Sequence, residues 1–364
     1  MDFAFSEEQE MLRQQARELL TDKFPPERVA ELADGQVFDE AAWKEIAELG
    51  WIGLSVPEEK GGAGFSFLEE AVLFEEMGRA LYPGPYFATV AQSLPALQAS
   101  QEDIARVVSG DARVTIAAAE AADLRTQDFD AVGSKAEQTN GSWSITGEKV
   151  LVVDAETATD FVVGARTADG TGLWLVPADQ VDVKTSSTMD TTRPVGKVTF
   201  NSAQGRLLVE PGAALDTLTQ IHLRSMAAAA LEAVGIAQSV LDLAIEHTKE
   251  RKQFDKPIGT YQAVSHQVAN TYVDTELARS LAYWAAWAVA ENDDSAPTAV
   301  AAAKAHAAEA AVLACERSIQ VHGGIGFTWE HALHRYYKRA QWIDSWGGFG
   351  SVQRENVASA VLDD

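Results

Sequence analysis

Residues 113–212 interrupt an otherwise helical chain with short β-branched runs, and that order restricts the possible architectures more than any other feature. "SWSITGEKVLVV", "DFVVGART", "GLWLVPAD" and "GKVTFNSAQGRLLV" are rich in Val, Ile, Thr and aromatic residues and are broken by Gly, Asp and Asn. That is the texture of strands joined by turns, and "NGS" at 140–142 predicts one such turn. Ahead of this block the spacing predicts helices. Ser6 followed by Gln9 forms a capping-box pattern, and the amphipathic stretch "FLEEAVLFEEMGRAL" stops at "YPGPY". Behind it the helices lengthen. One helix is expected over much of 213–254. A second places Val264, Val268 and Tyr272 on one face at i, i+4 and i+8. A third, alanine-rich, runs from Ser295 to His322, and two shorter ones flank "SWGGFGS". The expected fold is α+β, mostly α. It comprises an N-terminal helical domain (1–112), a middle β-barrel-like domain (113–212) and a C-terminal four-helix bundle (213–364).

The totals narrow the partners. With 364 residues and 46% apolar side chains the chain can bury a large core. No run of eighteen apolar residues occurs, so no membrane span is expected, and the acidic, amphipathic start does not read as a secretory signal. A single cysteine, Cys315, fits a reducing cytosol; the expected location is cytoplasmic. A formal net charge of −25 repels nucleic acid and anionic lipid. A phosphate-bearing ligand would therefore need a local basic cluster, and "ERKQFDKPIG" (250–259) and "HRYYKRA" (334–340) are the two candidates. Each also reads as solvated helix surface.

At "RKQFDKPIGTYQAVSH" and "QVHGGIGFTWEHALHRYYKRA" the chain resembles the acyl-CoA dehydrogenase family, and "FSEEQEMLRQQARELL" resembles that family's first helix. The two C-terminal motifs, in that order and inside helices of that length, carry the resemblance. It implies an FAD enzyme that oxidises an acyl-CoA thioester across Cα–Cβ, usually a tetramer of two dimers, with electron-transfer flavoprotein as acceptor. In such an assembly the flavin ring and substrate lie in one subunit, while the adenosine diphosphate half reaches the neighbour's C-terminal helices.

Carried over residue by residue, Arg251 matches the arginine at the FAD diphosphate, where a guanidinium offers a planar fork of donors. Gln253 and Gln262 match polar contacts. Phe254, Ile258 and Tyr261 match apolar walls near the adenine. Gln320, Gly323 and Gly324 match the far side, where glycine lets backbone approach phosphate or sugar. Taken singly, each has a plainer explanation: Arg251 pairing with a surface carboxylate, or Gly323 and Gly324 as an ordinary helix stop. His322 reads as a packed residue at the helix end.

The chemistry also requires a carboxylate to remove the α-proton. Counting back from Gln353-Arg354, the family's usual base position falls on Gly347. The minority position, on the long helix, falls on Ser225, followed by Met226, with Arg224 displaced from the position of the helping arginine. Two flavin-ring stretches depart as well: "AAAEAADLRTQDFD" (117–130) and "GEKVLVVDAE" (147–156) replace the family's Thr-Glu-Pro and Trp-Ile-Thr patterns. Asp344, Glu330 and Glu355 are the nearby acids, and each reads as a surface residue. No catalytic residue is assigned. The expectation is a non-catalytic chain resembling one subunit of actinobacterial α2β2 steroid-CoA dehydrogenases, completing the FAD site of a homologous, glutamate-bearing partner. The alternatives are an active homo-oligomer with an unrecognised base, a flavin monooxygenase on the same fold, and a flavin-free scaffold.

Overall fold

The computed structural model describes residues 5–98, 100–120 and 132–362. It resolves into two compact units: residues 1–34, 67–82 and 226–364 form one, and residues 35–66 and 83–225 the other. These units follow packing. The divisions near 112 and 212 mark changes of secondary structure and are a different partition of the chain.

In the first unit, α1 (Glu7–Lys23) begins at Ser6, whose hydroxyl accepts from the Gln9 amide while the Gln9 side chain accepts from the Ser6 amide, the predicted capping box. It packs on α4 (Phe67–Ala80). The unit also contains α2 (Pro26–Gly35) up to residue 34, most of α7 (Ala214–Glu250), α8 (Gln262–Ala290), α9 (Ala296–His322), α10 (Leu333–Ser345) and α11 (Gly350–Leu362). Helices α8, α10 and α11 all pack on α9, whose alanines from Ala299 to Ala314, Ala302 apart, are buried; small side chains allow backbones to approach. One buried carboxylate of this unit links two helices. Glu75 accepts from the Arg279 guanidinium at 3.1 Å and from the Tyr283 hydroxyl at 2.8 Å, which ties α4 to α8.

In the second unit, α3 (Glu40–Glu48), α5 (Leu94–Leu97) and α6 (Gln101–Val108) accompany a seven-stranded sheet. Its strands are β1 (Val114–Ala117), β2 (Lys135–Thr139), β3 (Ser142–Val153), β4 (Asp160–Thr167), β5 (Gly170–Pro177), β6 (Val181–Thr185) and β7 (Val195–Val209). The ring β4–β2–β3–β7–β5 closes through the β4–β5 pairing, with β1 beside β4 and β6 beside β7, so the block is a small barrel. Closure leaves β1 and β6 as the strands paired on one side only. Ile145, Val152, Phe161, Val163, Trp174, Val176, Val198 and Phe200 fill its interior. Asn140 (φ 52°) and Gly141 (φ 82°) make the predicted β2–β3 turn. One feature had no sequence counterpart: Phe87–Ser93 is wound as a buried π-helix.

By length and composition α7 could cross a membrane, but 72% of its most apolar window is buried inside the protein.

Candidate functional site

The basic turn after α7 is built by a strained hairpin. Two short strands, β8 (Lys252–Gln253) and β9 (Lys256–Pro257), flank Phe254 (φ 50°) and Asp255 (φ 63°). Two consecutive left-handed residues make the mirror-image turn that hairpins favour, normally filled by Asn-Gly. A phenylalanine in that conformation is unusual and costs about 1–2 kcal/mol. What the hairpin gains is an aromatic ring thrust outward, 87% exposed. Tyr261 holds the hairpin to the start of α8 by donating its hydroxyl to the Gln253 carbonyl at 3.0 Å, and the Ile258 amide donates to the Arg251 carbonyl at 2.8 Å. Arg251, Gln253, Phe254, Tyr261 and Gln262 are exposed, and Ile258 is half-buried. No carboxylate pairs with Arg251 among the described residues, so the plainer explanation of a surface ion pair does not hold within this chain.

The other motif lies at the end of α9. Gly323 caps the helix with φ 65° and ψ −138°, a conformation that favours glycine, and its amide donates to the Gln320 and Ile319 carbonyls. Gly324 needs no such conformation, and a methyl group added at either glycine would meet nothing within 4 Å. Gln320 is exposed beside them. The helix stop thus explains Gly323 but not Gly324, whose bare backbone faces open space. An unpaired guanidinium, an outward aromatic and an unobstructed glycine backbone suit an adenosine diphosphate moiety, which presents anionic oxygens and a flat ring.

A histidine contact brings the two motifs together. The His247 ring stacks on His322 with centroids 4.2 Å apart and planes at 24°, and His331 meets His322 edge-on at 4.8 Å. His247 lies one turn before Arg251, whose amide donates to its carbonyl at 2.9 Å, and His322 immediately precedes Gly323. His322 is packed, as its position at the helix end suggested, with Nδ1 2.8 Å from the Ser318 carbonyl. The role of His247 and His331 in this contact had no sequence signal beyond the i, i+4 spacing of His247 to Arg251.

At Gly347 and Ser225, where the resemblance would place a base, neither residue is a carboxylate. Gly347 sits at φ 69°, and a methyl added there would lie 2.4 Å from the Met226 sulfur, far inside contact distance. Met226 thus fills the space that a side chain at Gly347 would need. Ser225 is buried and donates its hydroxyl to the Ile221 carbonyl of its own helix at 2.6 Å. Arg224 reaches the Ser55 hydroxyl at 3.0 Å. The turn at Gly347 is pinned: the buried Gln353 side chain donates to the Gly347 carbonyl at 2.9 Å, and the buried Lys304 ammonium donates to the Asp344 carbonyl at 3.3 Å. Burial pushes Lys304 down to about 8, against the opposing Asp344 charge. Glu330 and Glu355 are exposed and Asp344 is half-buried.

Of the two stretches with altered ring motifs, residues 121–131 lie outside the described residues. At the start of that stretch Glu120 accepts from the Gly133 and Ser134 amides and from the buried Lys149 ammonium, at 2.5, 2.8 and 2.5 Å. Leu151, in the second stretch, is left-handed (φ 50°) where the β3–β7 register shifts.

Residues 6–103 match the N-terminal domain model of the acyl-CoA dehydrogenases, and residues 220–362 the C-terminal domain model. Acyl-CoA dehydrogenase IpdE2 of Mycobacterium tuberculosis is 32% identical, over 92% of this chain and 91% of its own length. The short-chain specific mitochondrial acyl-CoA dehydrogenase of Mus musculus is 28% identical, over 98% and 90%. Among solved structures, the ChsE4-ChsE5 complex from Mycobacterium tuberculosis superposes with a TM-score of 0.89 at 27% identity, covering 100% of both chains. The Tcur3481-Tcur3483 steroid ACAD superposes at 0.86 and 30%, covering 98% of both. With matched models over both ends, a barrel between them and full-length relatives, this chain belongs to the acyl-CoA dehydrogenase family, FAD-dependent oxidoreductases acting on the CH–CH bond.

Proposed function

We propose that this chain is the non-catalytic subunit of a cytoplasmic heteromeric acyl-CoA dehydrogenase. Its tail site completes the FAD pocket of a homologous partner that carries the glutamate. The observation that carries this reading is at Gly347: a left-handed glycine with the Met226 sulfur where a side chain would begin, in a chain that still presents Arg251 and Gly324 outward. A chain that had lost FAD altogether would have no reason to keep a strained, exposed Phe254 beside an unpaired arginine.

In this reading Arg251 engages the diphosphate, Gln253, Gln262 and Gln320 supply polar contacts, Phe254, Ile258 and Tyr261 flank the adenine, and Gly323–Gly324 allow close backbone approach. What FAD supplies when bound is the two-electron acceptor for the acyl Cα–Cβ bond. This chain's residues bind and orient; proton removal belongs to the partner. Tyr272, Val273 and Leu277 on α8, each more than half exposed, and Phe327 and Trp329 after α9, 83% and 76% exposed, are apolar surface suited to coverage by another subunit. The α2β2 assembly and a steroid or other bulky acyl-CoA follow the heteromeric neighbours, and electron-transfer flavoprotein is the acceptor.

The test is stoichiometry and activity. Purified alone, the chain is expected to hold FAD poorly and to dehydrogenate no acyl-CoA. Co-expressed with a glutamate-bearing partner, it should give about one FAD per heterodimer by absorbance at 450 nm. Full activity with one FAD per chain in the lone protein overturns the reading in favour of a homo-oligomer with its own base.

A further inference from the structure

The diphosphate site proposed above has an ionisable component that the family resemblance did not supply. Three imidazoles touch in a row where α7 ends and α9 ends, and the order along the row is His247, His322, His331. They are the physical join between Arg251, on one side, and Gly323 and Gly324, on the other. Rings stacked 4.2 Å apart repel strongly when both are charged, so His247 and His322 do not carry a proton charge together near neutral pH.

The three rings differ in what holds them. His322 is fixed by the 2.8 Å contact of Nδ1 with the Ser318 carbonyl, which assigns the proton of the neutral ring to Nδ1. The Nδ1 atom of His331 lies 3.3 Å from the Leu333 amide and accepts from it. His247 is the member not anchored by a ring-nitrogen hydrogen bond among the described residues, and it is half-buried. The groups that face it are the Glu250 and Arg251 charges on its own segment and His322 across the stack. Burial, His322 and Arg251 hold its imidazolium down, and Glu250 opposes them. Burial does the same to His322, against the Ser318 carbonyl, and to His331 together with its two neighbours. An anionic ligand held by Arg251 cancels the very charge that disfavours protonation of His247.

We infer that His247 is a binding residue of the diphosphate site that takes up one proton from solvent when the ligand binds, with His322 as the residue that positions its ring. This rests on the tail-site reading, and its consequence is that the grip on the diphosphate strengthens as pH falls. An anion within about 4–6 Å raises an imidazole pKa by one unit or more, and one unit corresponds to tenfold in affinity. Binding should therefore tighten up to about tenfold between pH 8 and pH 5.5.

The probe is ADP-ribose, whose diphosphate is a diester on both sides and does not itself titrate in this range. Its binding to the full chain is measured by calorimetry in buffers of different ionisation enthalpy, which counts protons taken up. The histidine resonances of the free and ligand-saturated chain are titrated in parallel by NMR, which reads His247 in the unsubstituted protein whether or not variants fold well. The expected results are net proton uptake, an upward shift of the His247 titration on ligand binding, and binding by H247Q that no longer varies with pH and matches the weaker, high-pH affinity of the parent. H322Q keeps a donor for the Ser318 carbonyl, and in it the His247 shift should shrink. If ADP-ribose binds in an Arg251-dependent way but no proton is taken up and the His247 titration is unmoved, the inference is wrong while the tail site stands. If ADP-ribose binds at no pH, the tail site falls and the inference falls with it.

Discussion

The claim that Met226 occupies the place of the family's base can be tested through stability, without any substrate. Replacing Gly347 with alanine imposes two separable costs. The backbone at φ 69° disfavours a side chain by about 1–2 kcal/mol. The new methyl also meets the Met226 sulfur at 2.4 Å and its terminal methyl at 3.3 Å, and Met226 is fully buried. Displacing a packed side chain costs about 1–3 kcal/mol, with methionine at the lower end because it is flexible. Gly347→Ala should therefore destabilise by about 2–4 kcal/mol. Met226→Ala alone should cost about 2–5 kcal/mol through the cavity it leaves. In the double variant the clash is gone and the methyl fills only part of the cavity, so the backbone cost and most of the cavity cost remain, and the two changes should couple favourably by about 1–2 kcal/mol. Urea unfolding of the parent, both single variants and the double variant, followed by circular dichroism, supplies the cycle. Equal costs of Gly347→Ala with and without Met226 would refute the claim that these two residues share one space. The same pair answers a chemical question. Gly347→Glu in the Met226→Ala background restores a carboxylate at the usual base position. No acyl-CoA dehydrogenation is expected from that lone chain, because its ring-contacting stretches remain altered; activity there would mean that only the base had been lost.

Three further outcomes follow. Arg251→Ala in the co-expressed complex should lower FAD per heterodimer severalfold, with Arg251→Lys intermediate because an ammonium keeps the charge but not the fork; unchanged flavin content would remove Arg251 from the site. Phe254→Gly should stabilise the lone chain by up to about 1 kcal/mol by relieving the left-handed phenylalanine, yet weaken FAD retention in the complex, and Phe254→Ala should lose retention without gaining stability. Lys304 sits near 8 in the folded chain against an ordinary 10.5, so the unfolded chain binds more protons between those values. Stability should rise with pH through that window, and the full cost of about 3 kcal/mol, at roughly 1.4 kcal/mol per unit, is carried below pH 8. Lys304→Met should flatten that rise and stabilise the chain at pH 7, less about 1 kcal/mol for the lost bond to the Asp344 carbonyl; a parent curve flat between pH 8 and 10.5 would show that the buried ammonium is not destabilised.

The helical, strand and helical order was legible because it is written in local periodicity. Two strand segments, 142–153 and 160–167, coincide with their sequence runs, the Ser6–Gln9 cap forms as its spacing requires, and Asn140-Gly141 turns where two residues tolerant of positive φ adjoin. The motifs proposed for the tail site are contiguous stretches and so could be named from sequence. Where those motifs meet could not be. Nothing local pairs His247 with His322, sets Met226 above Gly347 or buries Lys304 beneath the end of α10. Nor does local pattern predict the π-helical turn at 87–93 or the exposure of Phe254, where the hairpin accepts a left-handed aromatic that propensity argues against. Sequence by itself determined the elements, because turn chemistry and apolar spacing act within a few residues. The tertiary structure alone decided which side chains share a space, because that depends on how distant helices pack, and packing is where the Met226–Gly347 contact and the histidine row become visible.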